Sequence, residues 1–368
     1  MNKVVLVFGT RPEAIKMAPV YEVLKKRGLF DVKVLVTAQH REMLDSVLNI
    51  FSIKPDYDLS LMKERQTLAY VTKEALVGIV EVLEKERPDV VLVHGDTTTT
   101  LAGSLAAYYL RIPLGHVEAG LRTGDIYNPF PEEFNRIVAD VLSDLCFAPT
   151  RRAAQNLLRE GISESKVFIT GNTVVDALLK IASIRFEFSG ELEIIDSWDG
   201  RIVLVTFHRR ESWGEPLIGI CSALNVIHDL FKDLLIIIPL HLNPEVRKVA
   251  LSVLRGKRFL FVDPLPYIPF VHLMRKSYLI LTDSGGIQEE APSLGVPVLV
   301  IREKTERPEA LEAGVVKLVG RDKDKIIEEV SLLLENEEAY GKMKRVTNPY
   351  GDGRASERIA TILEAYFS

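Results

Sequence analysis

The sequence predicts an α/β protein of two Rossmann-like domains facing across a cleft, each a parallel sheet flanked by helices. Three observations predict it. Eleven short apolar runs, rich in Val and Ile, punctuate the 368 residues. They do not alternate polar with apolar, which is the pattern of strands buried on both faces. Helical stretches of about 12–20 residues lie between them, and repeated strand–helix–strand units build parallel sheets with right-handed crossovers. Eleven strands are too many for one sheet of ordinary size, and the length exceeds one ordinary domain, so the strands divide between two.

In the first half the strands are expected at residues 3–8, 32–37, 89–94, 112–117 and 145–148, and in the second at 201–207, 234–239, 258–262, 278–282, 297–301 and 315–319. Residues 183–200 show no clear periodicity and precede a fresh strand, so the pattern puts the domain junction just before them. No internal repeat or low-complexity segment is visible. Near the end, Asn348-Pro349-Tyr350-Gly351-Asp352-Gly353 is dense with turn formers and leads into a helical pattern from Arg354 to Tyr366. Pattern alone leaves two readings of that helix open: it docks on its own domain, or it crosses back to the first.

Composition narrows the function classes. Hydrophobic residues at 47% and charged residues at 26% make an ordinary globular mixture. Lys and Arg number 46 against 51 Asp and Glu, a net charge of -5 that suits nucleic acid poorly as a partner. Two cysteines, Cys146 and Cys221, make neither a disulfide framework nor a thiolate zinc site and fit a reducing cytoplasm. Apolar runs such as Leu234-Leu235-Ile236-Ile237-Ile238 fall far short of the ~18–20 residues that span a bilayer. After Met1-Asn2-Lys3 the run Val4-Val5-Leu6-Val7-Phe8 is likewise too short for a secretion signal. A soluble, cytoplasmic protein is expected.

Polar residues gather where such folds bind ligands. In open parallel sheets that place is outside the carboxyl ends of the strands. Five of the seven histidines, His40, His94, His116, His208 and His241, stand at or just past an expected strand end, while His228 and His272 fall in expected helices. Asp96 follows the strand ending in His94, and Glu118 follows the one through His116. The loop Pro129-Phe130-Pro131-Glu132-Glu133 offers a third acid. Such carboxylates in one cleft suit general acid–base work, because repulsion and burial spread their pKa values. A helix-capping role for Asp96, before Thr97-Thr98-Thr99, is the competing reading. His94-x-Asp96 and His116-x-Glu118 also carry metal-ligand residue types, but neighbours two apart diverge on a strand, so no metal is expected.

Two loops read as anion sites. Gly9-Thr10-Arg11-Pro12-Glu13 starts a helix with capping-box spacing and Pro in its first turn, which leaves the cations Arg11 and Lys16 unexplained. Their charge near a helix N-terminus suggests an anion, since the dipole alone disfavours cations there. Neither a Walker loop nor Gly-x-Gly-x-x-Gly is present, so ATP hydrolysis and nicotinamide chemistry have no sequence support. In the second half, Asp283-Ser284-Gly285-Gly286 runs into a helix, and its paired glycines would let a phosphate approach backbone N–H groups. Glu290, a turn further on, suits ribose hydroxyls, and Thr206-Phe207-His208-Arg209-Arg210-Glu211 adds cations at a neighbouring strand end.

These strings, with Ala14-Ile15-Lys16-Met17, His94-Gly95-Asp96-Thr97, His116 through Arg122, Asp283 through Pro292, Thr305-Glu306-Arg307-Pro308-Glu309 and Asn348 through Gly353, resemble the non-hydrolysing UDP-N-acetylglucosamine 2-epimerases. The likeness runs in order from first strand to last helix. It implies a glycosyltransferase-B-like fold, a cytoplasmic homodimer, a place in polysaccharide biosynthesis, and interconversion of UDP-GlcNAc and UDP-ManNAc without metal or redox cofactor. It also implies that the last helix crosses back, giving a first domain of residues 1–175 plus 354–368 and a UDP-binding second domain of 176–353.

By position, the resemblance makes Asp96, Glu118 and Glu132 the acid–base group, with His208 beside the diphosphate. Arg11, Lys16, Ser284, Gly285, Gly286 and Glu290 would bind UDP and sugar. Gln39, His40, Arg65, Arg209 and His241 match an allosteric pocket that takes a second UDP-GlcNAc in some members. Glu42 stands where bacterial members often carry Gln, and its added carboxylate would repel a diphosphate. A sugar transferase of the same fold and a hydrolysing epimerase are the rival enzyme readings. A non-catalytic nucleotide-sugar sensor would be expected to lack the acids.

Overall fold

The computed structural model describes residues 1–38, 41–61, 66–209 and 212–368, with backbone alone at 41–43. The chain divides into two compact units, Met1–Ala177 with Tyr350–Ser368, and Leu178–Pro349. The first holds strands β1 (Asn2–Phe8), β2 (Phe30–Val36), β3 (Tyr57–Asp58), β4 (Val90–His94), β5 (Leu114–Val117), β6 (Leu145–Ala148) and β7 (Val167–Ile169). They form one parallel sheet in the order β3-β2-β1-β4-β5-β6-β7. Residues Val4 to Phe8 and Val90 to Val93 are fully buried, because helices cover both faces of the sheet.

The second unit holds β8 (Arg201–Thr206), β9 (Leu234–Pro239), β10 (Phe259–Val262), β11 (Leu279–Thr282), β12 (Val298–Val300) and β13 (Val316–Leu318). All are parallel, in the order β10-β9-β8-β11-β12-β13. Val203, Val205, Ile236, Ile238, Leu279 and Leu281 build its core against the helices Glu215–Leu230 and Lys323–Glu335.

Thirteen strands among the described residues correct the eleven expected. The two additions, β3 and β7, are the edges of the first sheet and have 2 and 3 residues. An edge strand is half solvated and short, so it carries no apolar run to read.

Each sheet reverses strand order once, between β1 and β4 in the first and between β8 and β11 in the second. A reversal splays the two adjoining loops apart and opens a crevice at the strand ends. Gly9 is needed at the first one. A Cβ there would overlap the hydroxyls of Thr37 and Thr99, which lie 2.7 Å apart across the end of β1.

The last helix, Ala355–Tyr366, packs on the helix Arg11–Arg27 of the first unit. Arg27 donates to Glu357 at 2.6 Å and Glu364 at 2.8 Å, and Asp176 accepts from the backbone N–H groups of Ala355 and Ser356 at the helix start. That carboxylate answers donors with no partner inside the helix. No described helix is long and apolar enough to cross a membrane.

Candidate active site

The first reversal gathers carboxylates. After β1 the chain enters its helix through Thr10, and the Glu13 carboxylate folds back to accept from the N–H groups of Gly9 at 2.9 Å and Thr10 at 2.7 Å. The same carboxylate accepts from the hydroxyls of Thr97 at 2.6 Å and Thr100 at 3.3 Å, tying the loop after β1 to the loop after β4. Glu13 is only 2% exposed, and burial raises its pKa against those hydrogen bonds.

Thr97, not Asp96, caps the helix Thr98–Tyr109, accepting from the N–H of Thr100 at 3.2 Å. The cap reading of Asp96 is thereby corrected, because a residue one step later already satisfies the orphan donor. Asp96 turns instead to Arg136, which pairs with its carboxylate, while Asn135 donates to its carbonyl at 2.9 Å. Burial pushes the Asp96 carboxyl above its usual range, outweighing the Arg136 charge that opposes it.

Glu118 is held differently. Its φ of 68° is left-handed, a conformation that costs a residue with a Cβ about 1–3 kcal/mol and persists only where surroundings over-determine it. Lys16, one turn into the helix after β1, pairs with its Oε1, and Asn172 donates to the same oxygen at 2.9 Å. Burial alone would raise this carboxyl, but the Lys16 charge reverses the sign and holds it well below the usual range. The Nε2 of His94 lies 3.8 Å from Oε2. Burial lowers His94 to about 3, so it is a neutral imidazole at neutral pH, and neither ring nitrogen has a hydrogen-bond partner among the described residues. His116 is a structural neighbour, its Nδ1 at 2.6 Å from Asp140 and its Nε2 at 2.7 Å from the Gly95 carbonyl.

The second reversal gathers donors and cations. Asp283, fully buried after β11, accepts from the N–H groups of His208 and Arg209, each at 3.0 Å, and from the Ser212 hydroxyl at 3.0 Å. Its other oxygen lies 2.7 Å from Nδ1 of His208, whose ring is 47% exposed. Burial would raise the Asp283 carboxyl, and His208 with those donors brings it below its usual range. Ser284-Gly285-Gly286 follow as the turn into the short helix Gly285–Glu290. A Cβ on Gly285 would sit 3.9 Å from the guanidinium groups of both Arg209 and Arg307, so two cations flank the turn. Glu290 accepts from the Tyr267 hydroxyl at 2.9 Å.

One reversal point thus gathers paired carboxylates, and the other is lined by guanidinium groups and glycine backbone. Residues 22–364 match the family described as UDP-N-acetylglucosamine 2-epimerase.

The chain belongs to that family.

It stands among the isomerases, and its fold is glycosyltransferase-B-like. Across 370 aligned residues it is 55% identical to the UDP-N-acetylglucosamine 2-epimerase of Escherichia coli K12, covering 98% of both chains. A crystal structure of the Neisseria meningitidis UDP-GlcNAc 2-epimerase bound to UDP-GlcNAc superposes with a TM-score of 0.86 at 49% identity, covering 99% of this chain and 100% of that one. The Methanocaldococcus jannaschii UDP-GlcNAc 2-epimerase, solved in complex with UDP-GlcNAc and UDP, is 38% identical with a TM-score of 0.79 over 99% of each chain.

Among the residues singled out in this epimerase-family chain, Asp96, Glu118 and Lys16 come together at the first reversal, and Arg11 opens the adjoining helix. Glu132 opens the helix Glu132–Leu142, one turn before Arg136, and no hydrogen bond joins it to Asp96 or Glu118 among the described residues. Its neighbour Glu133 is the buried one, accepting from the N–H groups of Thr123 at 2.9 Å and Gly124 at 3.1 Å to pin the preceding loop. Gln39, His40 and Arg65 lie outside the described residues. Arg209 bonds Glu306 at 3.2 Å, and the Nδ1 of His241 accepts from the N–H of Asn243 at 3.0 Å beside the Trp213 ring. No group of three or more His, Cys, Asp or Glu among the described residues is arranged to hold a metal ion.

Sequence reasoning missed Arg136 and Asn172. The first is an ordinary helical Arg four residues after Glu132, and the second sits in the turn Thr170-Gly171-Asn172-Thr173. Neither local pattern marks a ligand to a carboxylate.

Proposed function

We propose that this chain interconverts UDP-GlcNAc and UDP-ManNAc by inverting C2, through anti elimination of UDP and its re-addition. Carbon 2 has no carbonyl directly attached, so its proton is a very weak acid. Cleavage of the C1–O bond solves this: charge developing at C1 acidifies the C2 proton as UDP departs with the bonding pair. A base takes that proton, leaving a 2-acetamidoglucal. Addition then runs in reverse with the proton delivered to the other face of C2, while a diphosphate oxygen re-forms the bond to C1.

The observation that carries this reading is the pair of unlike carboxylates. Glu118, kept ionised by Lys16, carries no proton of its own, and Asp96, raised by burial, binds a proton more tightly than an ordinary carboxyl, so the two are set apart for different roles at C2. Glu132 enters the group by family position. His208 and Arg11 would stabilise the departing diphosphate, with Ser284, Gly285 and Gly286 offering backbone donors and Glu290 the ribose contact. The same reading includes a homodimer. Leu68, Val77, Tyr108 and Tyr109 expose large apolar side chains on two helices packed side by side, as a surface meant for burial does.

Proton NMR of the purified protein with UDP-GlcNAc in D2O, with EDTA present, tests the proposal. Appearance of UDP-ManNAc with deuterium at C2 of both sugars is expected. An unchanged spectrum would overturn it, UDP release only on adding an acceptor would favour a transferase, and free ManNAc would favour hydrolysis.

A further inference from the structure

We infer that Asn172 is a positioning residue for Glu118, coupling that carboxylate to the segment by which the chain re-enters the first unit; the inference rests on the acid–base reading above. Asn172 is 2% exposed, and three of its polar atoms tie it to three different neighbours. Its backbone N–H donates to the Tyr350 carbonyl at 2.6 Å, its Oδ1 accepts from the N–H of Val174 at 3.0 Å, and its Nδ2 donates to Glu118 Oε1 at 2.9 Å. The Val174 bond decides the amide's orientation, because only the oxygen can accept it, and so Nδ2 must face Glu118.

The returning segment is pressed against this turn. Tyr350 is 1% exposed, and a Cβ on Gly171 would come within 3.4 Å of both the Tyr350 carbonyl oxygen and Gly351 Cα. Gly351 itself sits at φ 139°, where an L side chain is strained. The start of the returning segment, at Tyr350, is thus one backbone hydrogen bond and one side chain away from Glu118.

Lys16 shares Oε1 but is a flexible, charged donor with reason to swing toward a diphosphate. Asn172, anchored at both ends, is the fixed donor. With both on Oε1, no hydrogen bond reaches Oε2 among the described residues, and Oε2 is left as the oxygen that handles the proton. The left-handed backbone of Glu118 supplies no such orientation by itself.

Asn172→Asp separates this role from simple turn capping. Its Oδ1 still accepts from Val174, while the donor to Glu118 is replaced by a like charge. Asn172→Ala removes both. The charged and titratable groups facing Glu118 are Lys16, His94, Arg136 and Asp96, and none of them is altered. With glutamate labelled at the carboxyl carbon, and the Glu118 signal assigned by its loss in Glu118→Gln, the parent signal should stay ionised down to the lowest pH at which the fold survives. In Asn172→Asp it should titrate within that range, moved up by about one pH unit or more. Turnover should fall on the order of 10–100-fold with KM within about twofold, and its acid limb should move to higher pH.

A Glu118 signal that stays ionised alike in both proteins would overturn the inference, as would parental turnover in a folded Asn172→Asp. If Asn172→Ala fails to fold, the isosteric Asp variant still decides. A parent protein that leaves UDP-GlcNAc untouched would sink the functional reading instead, and the carboxyl titration would still read the Asn172 contact.

Discussion

The two sheets reverse strand order in the same way, yet the loops at the two reversals do opposite work. At the first, between β1 and β4, two acids are each matched with a cation, Glu118 with Lys16 and Asp96 with Arg136. At the second, between β8 and β11, one buried acid, Asp283, is spent on organising backbone N–H groups, and two guanidinium groups flank a glycine turn. The lesson is that the topology provides a crevice and not a chemistry. Which residue follows each strand decides whether the crevice gathers paired carboxylates or backbone donors and cations.

The comparison makes a sharp demand: changes at the first reversal should cost turnover, and changes at the second should cost affinity. The largest effect is expected from Glu118→Gln and Asp96→Asn, each losing at least ~10²-fold in turnover, the usual scale for acid–base groups, with UDP binding by calorimetry little changed. If either instead lost UDP affinity at parental turnover, the division of labour would fail. Lys16→Met should follow, lowering turnover on the order of 10–100-fold. The sign of its pH effect is fixed by the pairing. Lys16 holds Glu118 low, so its loss raises that carboxyl, and the rate should fall at a higher pH than in the parent. An unmoved acid limb would contradict the pairing.

At the second reversal, Asp283→Asn should raise KM by about tenfold, because a carboxylate that orders the donors is replaced by a group with only one accepting oxygen. Turnover should change within about threefold. A fall in turnover at constant KM would merge the two crevices into one function.

Two smaller effects concern stability. His94 is buried neutral with its pKa lowered to about 3, so below about pH 6.5 the unfolded chain binds a proton that the folded chain refuses. Stability should therefore decline as pH falls from 7 to 5, by about 1–2 kcal/mol from this residue. Urea midpoints of His94→Asn should show that much less pH dependence, and equal dependence in both proteins would refute the assignment. Arg27→Ala, at the half-buried pairs with Glu357 and Glu364, should cost about 1 kcal/mol and leave turnover unchanged.

Much of this was legible in residue patterns. The continuous Val and Ile runs announced the buried parallel strands, and Gly9-Thr10-Arg11-Pro12-Glu13 announced a capped helix that the structure contains. Asp96 and Glu118 were legible as acids at strand ends, because a strand end is a local feature. The edge strands β3 and β7 were not, being too short and too solvated to carry a signal. Nor could the pattern choose between Asp96 and Thr97 as the cap, since both residue types accept from an N–H and only backbone geometry separates them.

By itself, then, the sequence determined the element types, the parallel sheets and the residues at the mouth of each strand, since periodicity and turn chemistry act over a few neighbours. Tertiary structure decided who pairs with whom. Lys16 reaches Glu118 across 102 positions, Asn172 reaches it across 54, and Arg136 reaches Asp96 across 40. No local propensity encodes those distances. They follow from the order in which the strands lie side by side, and that order leaves one carboxyl below its usual range and the other above it.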